Sequence, residues 1–136
     1  MNSYSSNLAL DSSNPQYFGD DNGRIKRSSD TEEYIIYDSQ GVISDFTIVS
    51  HFWRTDTVAD FTIELSNDGI NYTSFSSVIT NGGVDANNWE AVTYTGNVLS
   101  ENSRYIKITF PVISSDNRFW HPQLGQVTFN YSNSAQ

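Results

Sequence analysis

Apolar side chains in this chain recur at every second position, and the three-to-four spacing of an amphipathic helix is nearly absent. Alternation of this kind is what a pleated strand with one buried face demands, because successive side chains leave a strand on opposite sides. The longest example, Val42–Trp53, puts Phe46, Ile48, Ser50 and Phe52 on one face and Asp45, Thr47, Val49 and His51 on the other. Residues 60–66 turn Phe61, Ile63 and Leu65 inward, with Thr62 and Glu64 outward. Near the C-terminus Ile106, Ile108 and Phe110 oppose Tyr105, Lys107 and Thr109, and Val127, Phe129 and Tyr131 oppose Gln126, Thr128 and Asn130. Shorter candidates are residues 8–10, 24–27, 33–37, 70–79 and 89–95. Turn signals separate them: Asn14-Pro15, residues 21–23, Gln40-Gly41, the hairpin signal at residues 67–69, a loop at 80–88 containing Gly82-Gly83, and a turn at 96–102. The expected fold is all-β, an antiparallel β-sandwich or jelly roll of about eight strands. Residues 1–136 form one domain, with 132–136 as a tail.

Charge and cysteine usage narrow the function classes. Sixteen acids against seven bases give a formal net charge of −9, which repels phosphate backbones and argues against nucleic acid. Charged residues make up only 17% of the chain while aromatics reach 14%, so the surface is one of hydroxyls and amides around a β-rich core. No cysteine is present, which points to the cytosol or to a bacterial extracellular protein. No stretch has the length of a transmembrane helix, and the polar start at residues 1–7 fits a module cut from a longer chain, with a complete small protein as the alternative.

The chemistry-bearing residues gather between the last two strands. Within residues 111–123, Asn117, Arg118, Phe119, Trp120 and His121 stand side by side, in a connection long enough to be functional. Recognition of a sugar needs a flat apolar surface for the CH groups of the pyranose ring, and planar or cationic groups for its hydroxyls. Trp120 stacking on a ring, with Arg118, His121 and Asn117 bonding hydroxyls or a carboxylate, meets that need. The competing reading has Phe119 or Trp120 plugging the open end of the sandwich. Trp53 and Arg54, at the end of the central strand, are a second half of the same surface if the two loops are neighbours. Tyr17 adds an aromatic face or closes the bottom of the barrel, and Trp89 fits core better than platform. Arg24 and Arg27 pair with nearby acids or line a groove for an acidic polysaccharide.

Asp20, Asp21 and Asn22 supply oxygens of the kind calcium prefers, without the full spacing of an EF-hand, so one structural calcium ion competes with a plain turn. For catalysis the chain is poor: it has no cysteine nucleophile, no histidine-rich metal spacing, no phosphate loop and no Gly-x-Ser-x-Gly elbow.

Three stretches carry a family resemblance: residues 61–72 (FTIELSNDGINY), residues 104–110 (RYIKITF), and the last strand, residues 126–131 (QVTFNY), after a Trp-containing loop. With Phe18 to Arg27 ahead of residues 33–37, the chain from Phe18 to Tyr131 resembles the carbohydrate-binding modules of the galactose-binding-like, discoidin-like β-sandwich group. It departs from the disulfide-closed branch of that group in having no cysteine. The resemblance implies non-catalytic polysaccharide binding by a bacterial extracellular monomer, beside a catalytic domain on the same parent chain. The alternatives are a small jelly-roll lyase or hydrolase, and an adhesin or structural interaction domain.

Overall fold

The computed structural model describes residues 3–13, 18, 23–29, 31–55, 58–112 and 120–132. Eleven strands occur among them: β1 (Ser3–Tyr4), β2 (Leu8–Asp11), β3 (Arg24–Arg27), β4 (Tyr34–Asp38), β5 (Val42–Trp53), β6 (Thr62–Ser66), β7 (Thr73–Ser74), β8 (Val78–Val84), β9 (Trp89–Asn97), β10 (Tyr105–Thr109) and β11 (Gln123–Ser132). They form two sheets, one of five strands in the order β1-β4-β10-β6-β7 and one of six in the order β2-β3-β11-β5-β9-β8. Every pairing is antiparallel. The expected β-sandwich is the fold observed, with eleven strands in place of about eight.

The core lies between the sheets and follows the alternation. Ile43, Phe46, Ile48 and Phe52 of β5 meet Val92 and Tyr94 of β9, Ile63 and Leu65 of β6, and Ile106 and Ile108 of β10, all in one buried cluster. Burying each large apolar side chain contributes about 1.5–3 kcal/mol, which is why this face and not its opposite turns inward. Ser50 is the polar exception on the inner face, and its hydroxyl is satisfied by donating to the Val92 carbonyl at 2.8 Å. The alternation of β11 fails at its end. A register shift between Asn130 and Tyr131 leaves Tyr131 half exposed, where strict period two would bury it.

Three expectations need correction. Residues 70–79 are not one strand: β7 pairs with β6 in the five-stranded sheet and β8 pairs with β9 in the other, so the chain changes sheets at residues 75–77. Much of the loop expected at 80–88 belongs to β8, which runs to Val84 through a register shift at Gly82-Gly83, where Gly83 takes φ +91°. Gly96, expected in a turn, lies inside β9 opposite Phe46. It reads as a turn residue in sequence, but the strand needs it because a Cβ there would come within 2.6 Å of the Phe46 and Phe75 rings.

One connection matters most for function. Strand β10 is central in one sheet and β11 in the other, so the chain changes sheets between Thr109 and Gln123. That crossing delivers Trp120 and His121 to the point where β5 ends and β9 begins.

Candidate functional site

All three tryptophans of the chain meet at this end of the molecule. Trp53 and Trp89 face each other across the β5–β9 ladder, which places their side chains on the same face of the sheet. Trp120 sits against both, with ring centroids 5.4 Å from Trp53 and 5.9 Å from Trp89. His121 completes the cluster: it is fully buried, its ring lies 5.1 Å from Trp120, and its Nδ1 accepts the backbone N–H of Trp53 at 3.3 Å. The histidine therefore joins the crossing connection to the end of β5. On the far side of Trp89, Phe18 packs edge-on at 4.6 Å and also touches His51 at 5.1 Å.

Beside the tryptophans opens a cavity of about 310 Å³, lined by Asp11, Ser13, Phe18, Lys26, Trp89, Trp120 and Gln123. Its apolar wall is Phe18, Trp89 and Trp120. Its polar wall comes from the β2–β3 hairpin and the start of β11. Gln123, almost fully buried, bridges the two walls: its amide nitrogen donates to Asp11 Oδ2 and to the Trp120 carbonyl, both at 3.0 Å. Its carbonyl accepts from Arg24 Nε at 2.7 Å. Arg24 itself is fully buried beneath the cavity, with its guanidinium 3.6 Å from the centre of the Phe18 ring and a hydrogen bond to the Ser13 carbonyl.

Asp11 is the one carboxylate among the described residues that line the cavity. Oδ1 accepts from the Ser13 backbone N–H at 2.9 Å and from the Ser13 hydroxyl at 2.6 Å, and lies 3.6 Å from Arg24 Nη2. Oδ2 accepts from Gln123 and lies 3.9 Å from the Lys26 ammonium. Burial opposes ionisation of this group, but the bonds from Ser13 and Gln123 and the charge of Lys26 outweigh it and hold the carboxyl below its usual range. The acid is charged at neutral pH, and three of its roughly four lone-pair sites already accept hydrogen bonds.

Of the residues expected at a binding surface, the structure brings Trp53, Trp120 and His121 together. Their roles differ. Trp120 lines the cavity, Trp53 packs against Trp120 and is not among the described lining residues, and His121 is internal rather than at the surface where a sugar hydroxyl would find it. Arg54 is directed elsewhere: its Nε donates to Glu90 at 2.7 Å and its guanidinium stacks 4.6 Å from the centre of the Phe52 ring. Arg24 and Arg27 are both fully buried, so neither lines an open groove. Arg118, Asn117 and Tyr17, and the calcium candidates Asp20, Asp21 and Asn22, lie outside the described residues. Among the described residues no group of three or more acids or histidines could hold a metal ion.

Asp11, Ser13, Lys26 and Gln123 were not singled out from the sequence. Gln123 lies 112 positions from Asp11, and no local motif connects it to Asp11, Ser13 and Lys26. Only the pairing of β3 with β11, through Ile25 and Leu124, brings them to one wall.

No family model matches this chain, and no curated protein matches it in sequence. Solved structures do match. A structure described as a glycoside hydrolase aligns over 96% of this chain and 30% of its own length, with 15% identity and a TM-score of 0.53. Chitosan-binding module 1, from a chitosanase/glucanase of Paenibacillus sp. IK-5, aligns over 96% and 93% of the two chains, with 16% identity and a TM-score of 0.50. A CBM32 module from Clostridium perfringens aligns over 95% and 94%, with 19% identity and a TM-score of 0.49. The chain shares the two-sheet antiparallel β-sandwich fold of these structures. At these identities the likeness extends to the fold alone. No helix among the described residues is long and apolar enough to cross a membrane.

Proposed function

We propose that this domain binds a polysaccharide without cleaving it, using the cavity beside Trp120 and Trp89. The observation that carries the reading is the pairing of an aromatic wall with a polar wall across one small cavity. Its volume sits at the low end of the range for ligand sites, about 300–1,000 Å³, a size suited to one or two sugar rings. Trp120 offers the CH-binding face, and the Asp11–Gln123 network holds it in place through its carbonyl. Binding rather than hydrolysis is supported by the carboxylates: glycoside cleavage needs a pair flanking the bond, whereas the described cavity lining holds Asp11 alone, with its oxygens already engaged.

The module would act on behalf of an attached polysaccharide-degrading enzyme, raising the local concentration of substrate. The glycoside hydrolase of which this fold occupies 30% supports that arrangement, as does the chitosan-binding module derived from a chitosanase/glucanase. The reading extends to a bacterial extracellular setting, in keeping with the Paenibacillus source of that module, with the domain as a monomer on the parent chain.

Replacing Trp120 by Ala should weaken binding by about tenfold or more, because a central aromatic anchor carries a disproportionate share of binding energy. Trp53→Ala should weaken it less, since Trp53 acts by supporting Trp120. Affinity electrophoresis across glucan, mannan, xylan, galactan and anionic gums measures both, with circular dichroism to establish folding. Two folded variants that bind like the parent would place the site elsewhere.

A further inference from the structure

We infer that the cavity selects a sugar carrying a carboxylate, a uronic acid residue, and that Lys26 is its counter-ion. This rests on the carbohydrate-binding reading and adds to it the chemical class of the ligand.

The argument is one of unspent hydrogen-bonding capacity. Gln123 is used at both ends: its carbonyl accepts from Arg24, and its amide nitrogen donates to Asp11 and to the Trp120 carbonyl. Asp11 accepts three hydrogen bonds and stands between two cations, so it has little left to offer a ligand donor. The Ser13 hydroxyl spends its proton on Asp11 and keeps acceptor capacity only. Lys26 differs. Its ammonium carries three donors, its Asp11 contact at 3.9 Å is beyond hydrogen-bond distance, and its side chain is 34% exposed at the cavity wall. Among the described lining residues, the principal charged donor still available to a ligand is therefore cationic.

A group with several acceptor lone pairs and a negative charge answers that donor best, and on a sugar this is a carboxylate. Hydrogen bonds in which one partner is ionised are about twice as strong as neutral ones. A protonated amino sugar is disfavoured by the same geometry. Asp11 is already neutralised by its neighbours, so the amino sugar's charge would meet Lys26 with no free carboxylate to offset it. Trp120, Trp89 and Phe18 supply the face against which either ring would lie. The overall charge of −9 opposes anionic ligands at long range, but at 0.15 M salt the Debye length is about 8 Å. A direct Lys26–carboxylate contact survives that screening.

The test is isothermal titration at pH 7 and 0.15 M salt. The probes are oligomers of galacturonate, glucuronate and mannuronate, the same oligomers with their carboxylates reduced to alcohols, and oligomers of glucosamine. At least one uronate oligomer should bind about tenfold tighter than its reduced counterpart. Lys26→Met should erase that difference, and Lys26→Arg should retain most of it. The inference is overturned if reduced oligomers bind as tightly as uronates, if glucosamine oligomers bind best, or if Lys26→Met keeps the uronate preference. Neutral binding that is lost in Trp120→Ala, without any uronate preference, would refute this inference and leave the carbohydrate reading intact. No binding by any oligomer would refute both.

Discussion

Asp11 and His121 carry chemistry-bearing side chains that the fold employs internally. The Asp11 carboxylate gathers Ser13, Gln123 and two cations around itself, and His121 receives the Trp53 backbone N–H. Each helps hold a tryptophan of the cluster, Asp11 holding Trp120 through Gln123 and His121 holding Trp53 directly. Sequence reading found His121 because it stands beside Trp120, but could not see that its ring turns inward. Burial of one residue in a crossing connection depends on what that connection is packed against. Gly96 gives the sharpest stability test at this scale. Gly96→Ala should cost about 1–3 kcal/mol, because the new methyl group would press on the Phe46 and Phe75 rings inside a packed core. Urea denaturation should show the midpoint falling with an unchanged slope. A midpoint equal to that of the parent would mean the rings yield freely.

Among the elements, β5 and β9 form the frame and β8 is the loosest piece attached to it. Strand β5 is flanked by β11 and β9 in the middle of its sheet, and its inner face is fully buried at Ile43, Ile48 and Phe52. Every residue of β8 is exposed, it pairs on one side only, and its ladder breaks at Gly82-Gly83. A bulged, glycine-containing edge of this kind resists pairing with another chain. Hydrogen exchange should therefore find β8 amides opening locally, about a hundredfold faster than those of Ile48 or Ile106. Equal protection in β8 and β5 would mean that the edge is held by contacts beyond its single ladder. The strands with strict alternation, β5, β6, β10 and most of β11, were legible from sequence because one buried face leaves a period-two signature. The chain between residues 70 and 84 was not. Its serines, glycines and exposed positions carry no such signature, and its change of sheet has no local cause.

At the scale of the whole molecule, buried and bonded carboxylates set the response to acid. Bonds from Ser5, Thr31 and Asn7 overcome burial and hold Glu33 below its ordinary value of 4.5. The bond from Arg104 does the same for Asp38, as Ser13 and Gln123 do for Asp11, from an ordinary value of 3.8. Since these folded-state values lie below the unfolded ones, the unfolded chain takes up protons first as pH falls. Their stabilisation is complete above about pH 5 and is lost progressively below 4.5. Tyr94 works in the opposite direction at high pH. Burial raises its phenol well above 10.0, and its hydroxyl donates to Asp60 while accepting the Phe61 N–H. That contribution is whole below pH 10 and fades above it. Thermal melts should thus show a plateau between about pH 5 and 9 with a decline on either side. A melting temperature still rising at pH 3.5 would contradict this assignment.

The alternation by itself determined that this chain makes strands with one apolar face, and two layers of such strands are the simplest way to keep that face dry. It also placed aromatic and cationic residues at strand ends and in the last long connection. Which of those residues share a cavity was decided only by the tertiary structure. Hydrophobic burial depends on local pattern, so it leaves a trace in any short window of sequence. The wall made by Asp11, Lys26 and Gln123 depends on β3 pairing with β11 across most of the chain's length, and no window contains that pairing.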